Sequence, residues 1–419
     1  MVEIEDFENM WAKYGLRDSP YTTKALSLAG TLDINKLFYG REEELDSIGK
    51  RVFSTNNSKT AILGEVGVGK TTFANYLRWL LARKKKIIES KFLTTVEEIK
   101  IQENWDMPKF LRETLFSIYN SSKIFKWEEE GIKLNMLRTI GENLGSYYQK
   151  IIEFKEDSVK FEKGKNIINS DIPSELLQNW FSELCREIRG YNKKLIFHYN
   201  NLENMPEERI GRFLMSIKEI IQIEGTHWLF LGPHNIVSAI ENTPQIHSIF
   251  NEHILLNPLS EKEVLQILKI RCNFLKIEHG DYFQPYDEKT VLELYRRLNG
   301  NIRFIFKLLE DTAYSMPPPC KVTIQEVNYI QEKEKNKIMG SLTSNQQKII
   351  SLLIERGEVS MSDLSEGVGI LQTNLPKEIK ELQKKALINI RKNEEDKRYT
   401  MVRLSQRTSI SFAFSTINK

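Results

Sequence analysis

The 419-residue sequence predicts an α/β fold built on a parallel sheet, followed by an α-helical segment and a C-terminal module of three helices and a β-hairpin. Three observations predict it. Short apolar runs alternate with helical patterns through the first two thirds of the chain, as strands joined by crossover helices do. One of those runs, residues 60–64, empties into a glycine-rich loop that opens a helix. Beyond Pro258 the pattern is helical until two strand-like runs near the C-terminus.

The elements come in this order. A lead-in over residues 1–34 contains the turn-rich stretch YGLRDSPY. In LFYGREEELDSIGKRVF, Leu45, Ile48, Val52 and Phe53 recur at helical spacing. NNSK (56–59) is a turn, and TAILG (60–64) a buried strand. A helix runs from Thr71 to about Ala82 and closes on a basic run at 83–86, which suits the negative end of a helix dipole. KFLTTVEEIKI alternates like a strand. MPKFLRETLFSIYNS is a helix with Pro108 in its first turn. FKEDSVKFEKGK is a charged connector, and SELLQNWFSELCREIRG an amphipathic helix closed by Gly190. KKLIFHY and HWLFLG are buried strands. LSEKEVLQILKIRCNFL opens on a capping box, Ser260 with Glu263 three residues later. MPPPC (316–320) is a stiff break. Three helices then precede INIRK and RYTMVRLS, which flank NEEDK: a winged-helix pattern. The domains expected are 1–34, 35–257, 258–340 and 341–419, with 87–190 reading as an insertion of unassigned role.

Composition narrows the function classes. Hydrophobic residues at 40% and charged residues at 28% exclude wholesale disorder and fibrous repeats. A net charge of +3 is too small to announce a nucleic-acid binder by itself. Cys185, Cys272 and Cys320 are scattered, with no CxxC pair, so neither a disulfide framework nor a cysteine zinc site is expected, and a reducing, cytoplasmic setting is. No run of about 18 apolar residues is present, so no membrane partner is expected. The histidines show no metal-ligand spacing, and His198, inside a predicted strand, reads as a core histidine before a catalytic one.

The sharpest motif is GEVGVGKTT, which fits G-x-x-x-x-G-K-[ST] through Gly64, Gly69, Lys70 and Thr71. Chance produces such a match in about 1–2% of chains this long, given usual residue frequencies. The flanking strand and helix are the context that makes it a phosphate-binding loop, and hence the core a three-layer P-loop NTPase. Gly64, Gly67 and Gly69 permit backbone angles closed to other residues, so the amides of Glu65, Val66, Val68 and their neighbours can face phosphate oxygens. The next helix adds its positive end and free N–H groups, including those near Thr72. Lys70 would reach the β- and γ-phosphates, and the Thr71 hydroxyl would ligate Mg²⁺.

Such a loop works with a second strand ending in acidic residues, one for the metal's water and one to activate the attacking water. Here the best candidate, LIFHYNNLEN, offers Asn200 and Asn201 instead. Asparagine accepts a hydrogen bond from a metal-bound water but carries no charge and takes no proton at neutral pH. Glu203 or Glu65 would have to substitute as base. Binding of Mg-ATP with slow hydrolysis is the expectation; a merely polar strand-end loop is the alternative.

Together, FYGREEEL, ILGEVGVGKTT, IFHYNNLE, LFLGP and LNGNIRF followed by a winged helix resemble an AAA+ ATPase of the branch that holds origin-recognition-type initiators and STAND signalling ATPases. The resemblance covers roughly residues 35 to 405. It implies ATP and Mg²⁺ as ligands, with Phe38, Tyr39, Gly40 and Arg41 near the adenine. It also implies a sensor role for Arg303, within Gly300-Asn301-Ile302-Arg303, toward the γ-phosphate. The sequence departs from the family where the acidic pair is Asn200-Asn201, where the strand LFLGP ends without a polar residue, and in TPQIHSIFNEH, which lacks an arginine finger. These departures favour a nucleotide-gated switch over rapid, oligomer-coupled turnover. Antiviral defence and mobile-element functions are typical homes of such relatives, and a homo-oligomer or a protein effector would be the partner there.

Residues 341–419 hold 13 Lys+Arg against 9 Asp+Glu. The expected recognition helix, from Thr373 to about Leu387, turns Leu375, Ile379, Leu382 and Leu387 inward and carries Lys377, Lys380, Lys384 and Lys385 with Glu378 and Glu381. The wing offers Arg391, Lys392, Lys397 and Arg398. Phosphate contacts to double-stranded DNA from Lys377, Lys380, Lys384 and Arg391 are one reading. A winged helix used for protein contact or as a rigid hinge is the other.

Overall fold

The computed structural model describes residues 9–145, 172–234, 236–250, 252–392 and 399–413. The charged connector FKEDSVKFEKGK and the wing residues Lys397 and Arg398 lie outside the described residues, as does the side chain of Lys392. The chain packs as two compact units, one of residues 23–274 and one that joins the N-terminal segment up to Thr22 to residues 275–419. Packing therefore divides the chain elsewhere than the sequence reading at 34/35 and 257/258.

In the first unit the elements are α1 (Glu42–Ser54), β1 (Asn57–Leu63), α2 (Lys70–Ala82), β2 (Phe92–Thr94), β3 (Ile99–Lys100), α3 (Met107–Ile124), α4 (Asn135–Ile140), α5 (Ser174–Gly190), β4 (Lys194–Asn200), α6 (Glu207–Ser216), β5 (Thr226–Gly232), β6 (Glu252–Leu255) and α7 (Glu261–Leu275). The sheet runs β2-β4-β5-β1-β6, with β3 also on β4, and every pairing is parallel. Its strands are nearly continuous apolar runs because both faces are covered. Alternation along each strand sorts the core. Ile62, Ile196, Leu229 and Leu231 pack with Ile48 and Val52 of α1 and Phe73 and Leu77 of α2. Ala61, Phe197, Tyr199, Trp228 and Phe230 pack with Phe110 of α3, Phe181 of α5 and Phe213 of α6. That is a three-layer α/β core, as the sequence predicts. The stretch expected as an insertion is part of it: Phe110 and Phe181 fill one of the two faces.

In the second unit, Trp11, Tyr14 and Tyr21 are fully or almost fully buried, and Trp11 meets Tyr314 edge-on at 5.8 Å. Gly15 is left-handed (φ 72°), and any side chain there would strike the Asp281 backbone. Leu16 bridges to Lys276. Then come α8 (Glu288–Arg297), α9 (Ile302–Ser315) and α10 (Ile324–Gly340), followed by α11 (Ser344–Arg356), β7 (Glu358–Ser360), α12 (Met361–Val368), α13 (Leu375–Lys384), β8 (Ile388–Lys392), β9 (Thr400–Leu404) and α14 (Gln406–Ala413). Strands β7, β9 and β8 form an antiparallel sheet in that order. Ile349, Leu353, Leu364, Leu375, Ile379, Leu382 and Val402 close its core. The winged helix is present, with a third strand and a last helix beyond the expected pattern.

Candidate nucleotide-binding site

β1 and β4 end on the same side of the sheet with β5 between them. At about 4.8 Å per strand their ends stand roughly 10 Å apart, and the edge outside these carboxyl ends is where open α/β sheets hold their ligands. The loop from Gly64 to Gly69 lines it. Gly64 (φ 151°), Gly67 (φ 91°) and Gly69 (φ 101°) all have positive φ. A Cβ on Gly64 would sit 2.7 Å from the Leu256 carbonyl oxygen, so the loop has no room for a side chain there. At Gly69 the opposite holds: apart from the adjoining backbone, nothing lies within 4 Å of where a Cβ would be. Gly69 is also the N-cap of α2, with no side-chain cap, so the first N–H groups of that helix are left for a ligand.

Lys70 arches back over the loop. Its Nζ donates to the carbonyls of Gly64 (2.7 Å) and Glu65 (3.0 Å). Glu65 and Val66 form the exposed tip, while Val68 is buried in the core. Thr71 faces β4. The Asn200 amide accepts a hydrogen bond from the Asn201 N–H on Oδ1 (2.9 Å) and donates from Nδ2 to the Thr71 hydroxyl (3.0 Å). A backbone N–H can only donate, so it fixes which way this amide points. Asn200 therefore presents its NH₂ to Thr71, not the oxygen expected to hold a metal-bound water. Asn201 sits in the left-handed region (φ 64°) just past the strand, and Glu203 is exposed on the short turn beyond it.

A buried polar cluster supports this frame from below. Asn75, on α2, donates to the Leu26 carbonyl (2.8 Å), and the Thr72 hydroxyl accepts from the Leu26 N–H (3.3 Å). These two bonds lay the segment around Leu26 along the helix. Asn75 Oδ1 also accepts from Arg78 Nη2 (2.7 Å) and contacts His198 Nδ1 (3.2 Å). Arg78 is fully buried. Its Nη1 donates to the Thr94 hydroxyl (3.2 Å), the Thr95 carbonyl (2.7 Å) and the Thr95 hydroxyl (3.0 Å), which ties α2 to the end of β2. Burial lowers its pKa to about 10, so it stays charged at neutral pH. Burial, then the Arg78 charge, push the His198 pKa well below the usual range, so this ring is neutral and structural. An arginine inside an otherwise apolar helix, KTTFANYLRWLLA, is the sequence signal for the cluster.

In the GRE segment, Tyr39 is exposed and the Phe38 ring stacks on Tyr76 at 3.8 Å. Gly40 (φ 83°) and Arg41 (φ 71°) are both left-handed. The Arg41 guanidinium is not free for a base: it binds Glu44 (3.1 Å), the Val68 carbonyl (3.3 Å) and the Asn257 carbonyl (2.5 Å). β5 ends on Gly232, which packs against the Ile236 side chain: a Cβ there would overlap Ile236 Cδ1.

Arg303 is exposed in the first turn of α9, in the other compact unit, where Asn301 caps the helix through the Phe304 N–H (3.3 Å). On α13, Lys377 and Lys380 are exposed, whereas Lys384 pairs with Glu381 (2.7 Å). Arg391 makes a bidentate pair with Glu358 across β9 (2.6 and 2.7 Å), so it clips the sheet together. Lys385 is spent on the Ser341 carbonyl (2.9 Å).

The residues fit a phosphate chain: a glycine cradle open at Gly69, a helix N-terminus without a cap, and a positioned ammonium. They fit a protein-held metal less well. Among the described residues no group of three or more His, Cys, Asp or Glu side chains is placed to hold one. Magnesium would rest on Thr71 and on the phosphates themselves.

No family model matches the chain. Among curated proteins it is similar to an uncharacterised HTH-type transcriptional regulator of Methanocaldococcus jannaschii, 19% identical over 361 residues that span 82% of this chain and 80% of that one. Among solved structures it is similar to the Aeropyrum pernix ORC2 protein in its ADPNP–ADP complexes (TM-score 0.48, 12% identity, 94% of this chain and 97% of that one). It is also similar to the Aeropyrum pernix ORC1 protein in complex with DNA (TM-score 0.45, 13% identity, 92% and 94%). No helix among the described residues is long and apolar enough to cross a membrane.

Proposed function

We propose that the chain is an ATP-binding AAA+-type switch that turns over slowly and whose winged helix contacts duplex DNA. The observation that carries the nucleotide half is Lys70 held above a cradle of positive-φ glycines, beside a Thr71 hydroxyl oriented by Asn200 at the end of β4. Backbone amides and the α2 N-terminus bind the phosphates, and Lys70 trades its two carbonyls for phosphate oxygens. Magnesium, when bound, neutralises phosphate charge. Asn200 and Asn201 hold position but take no proton, and Glu203 is the carboxylate nearest in sequence to serve as base. That supports binding without fast hydrolysis. Calorimetry with ATP and ADP tests it: binding by the wild type and its loss in Lys70→Ala is the expected result. No heat with either nucleotide would refute the reading.

The DNA half is supported by the exposed lysines of α13 and by the description of the curated relative as an HTH-type regulator. A steep salt dependence of duplex binding that changes with ATP is expected. A second reading, a regulatory NTPase that gates a partner protein without reading DNA, is favoured by the capture of Lys384 and Arg391 in ion pairs. Negligible duplex binding at low salt would select it. The sensor role of Arg303 is carried from the resemblance; Arg303→Ala with unchanged preference between ATP and ADP would remove it.

A further inference from the structure

We propose that Arg41 is a positioning residue for the phosphate loop, holding the Gly69 amide in place, and not a contact to the base. The proposal rests on the nucleotide-binding reading above. The Arg41 side chain is only 8% exposed and its fork is occupied on both sides. Nη1 donates to Glu44 at the start of α1, and Nη2 donates to the carbonyls of Val68, in the loop, and Asn257, just after β6. Three chain segments are thus joined by one planar cation, a task its fixed fork suits and a flexible ammonium does not.

The Val68 carbonyl is the informative partner. In a trans peptide the C=O and the next N–H lie in one plane and point in opposite directions. By holding the Val68 oxygen on its own side, Arg41 turns the Gly69 N–H away from itself, at the uncapped start of α2. The backbone around Arg41 is specialised for this. Gly40 and Arg41 are consecutive left-handed residues, unusual for an arginine, and such outliers persist where the surroundings hold them in place. Gly40 is further fixed by close approach: a Cβ there would lie 2.5 Å from Glu263 Oε1. Glu263 is itself tied to Ser260 through the capping box of α7 (2.7 and 2.6 Å).

The test compares wild type, Arg41→Ala and Arg41→Lys by calorimetry with Mg-ATP and with inorganic triphosphate, which has phosphates but no base. Arg41→Ala is expected to weaken both ligands by the same factor, about tenfold, the size of one hydrogen bond from a charged donor, with binding stoichiometry unchanged. Arg41→Lys, which reaches one carbonyl at a time, is expected to fall between, and it serves if the alanine variant does not fold. Amide exchange in the ligand-free protein should speed up at Val68 and Gly69 in the variant and not in β1. Loss of ATP affinity with triphosphate affinity kept would overturn the proposal in favour of a base contact. Unchanged affinity and unchanged exchange would overturn it outright. A wild type that binds neither ligand would instead remove the nucleotide reading, and this proposal with it.

Discussion

Replacing Asn200 by aspartate puts a formal charge where the chain presents an amide. The bond count says the ligand-free protein should tolerate it. The carboxylate keeps the acceptor role toward the Asn201 N–H and strengthens it, and the Thr71 hydroxyl turns to donate where it now accepts. Against that stands the desolvation of a half-buried carboxylate. The net effect should stay within about 1 kcal/mol, a melting shift of about 2–4 °C for a unit of this size. With magnesium the effect is larger. A carboxylate and a divalent cation about 5 Å apart, as through one water, attract by roughly 7 kcal/mol at an effective dielectric constant of about 20. If only a fifth survives desolvation and competition from the phosphates, ATP affinity gains about tenfold. The assay is ATP calorimetry in magnesium and in EDTA. The ratio of the two dissociation constants should rise at least tenfold in Asn200→Asp. Adding Asn201→Glu should then raise hydrolysis. A wild type already as magnesium-dependent as the variant would show that the missing charge is not what limits the site.

Three further outcomes are expected. Arg78→Met should cost only about 2 kcal/mol, because five lost acceptor contacts worth roughly 1 kcal/mol each are offset by roughly 3 kcal/mol of relieved burial; Arg78→Lys should cost more, and urea melts in which lysine matches the wild type would contradict this. His227, bound to Ser58 at 2.7 Å, has its pKa lowered to about 3 by burial, then Lys194 and Lys59. The unfolded chain therefore binds the extra proton between about pH 3 and 6.5, and stability falls as pH drops through that window, by roughly 2–3 kcal/mol at pH 4.5; urea midpoints at pH 4.5 and 7.5 should differ less in His227→Gln, and an equal difference would exclude this source. Lys377→Ala with Lys380→Ala should weaken duplex binding and reduce the salt slope by about 2, whereas Arg391→Ala should lower thermal stability with duplex affinity nearly unchanged; filter binding across a salt series decides between them.

What the residues announce in advance is whatever has a local signature. The phosphate loop is legible because its glycines, lysine and threonine serve one local task, and the strands before it and at Ile196 and Leu229 because they are apolar and buried on both faces. The basic residues of the winged helix are visible as residue types, and Lys384 with Glu381 three residues before it is a local helix pair, but the capture of Arg391 by Glu358 across β9 is a long-range fact. KFLTTVEEIKI is legible as extended, yet it breaks into β2 and β3 where Thr95 turns to meet Arg78. Strands β6 and β7, four and three residues long, lack the length for a periodic signal. Resemblance assigns Arg41 to the base, because no local pattern shows that Val68 and Asn257, 27 and 216 residues away, converge on it.

Because residues 9–22 pack with the part of the chain that begins at Leu275, that unit is discontinuous in sequence and encloses the α/β unit as an excursion. During synthesis Trp11 and Tyr14 are made about three hundred residues before their partners Tyr314 and Cys320. At 5–20 residues per second that delay is roughly 15–60 seconds, during which Trp11, Tyr14 and Tyr21 have one another to pack against but not the later part of their unit.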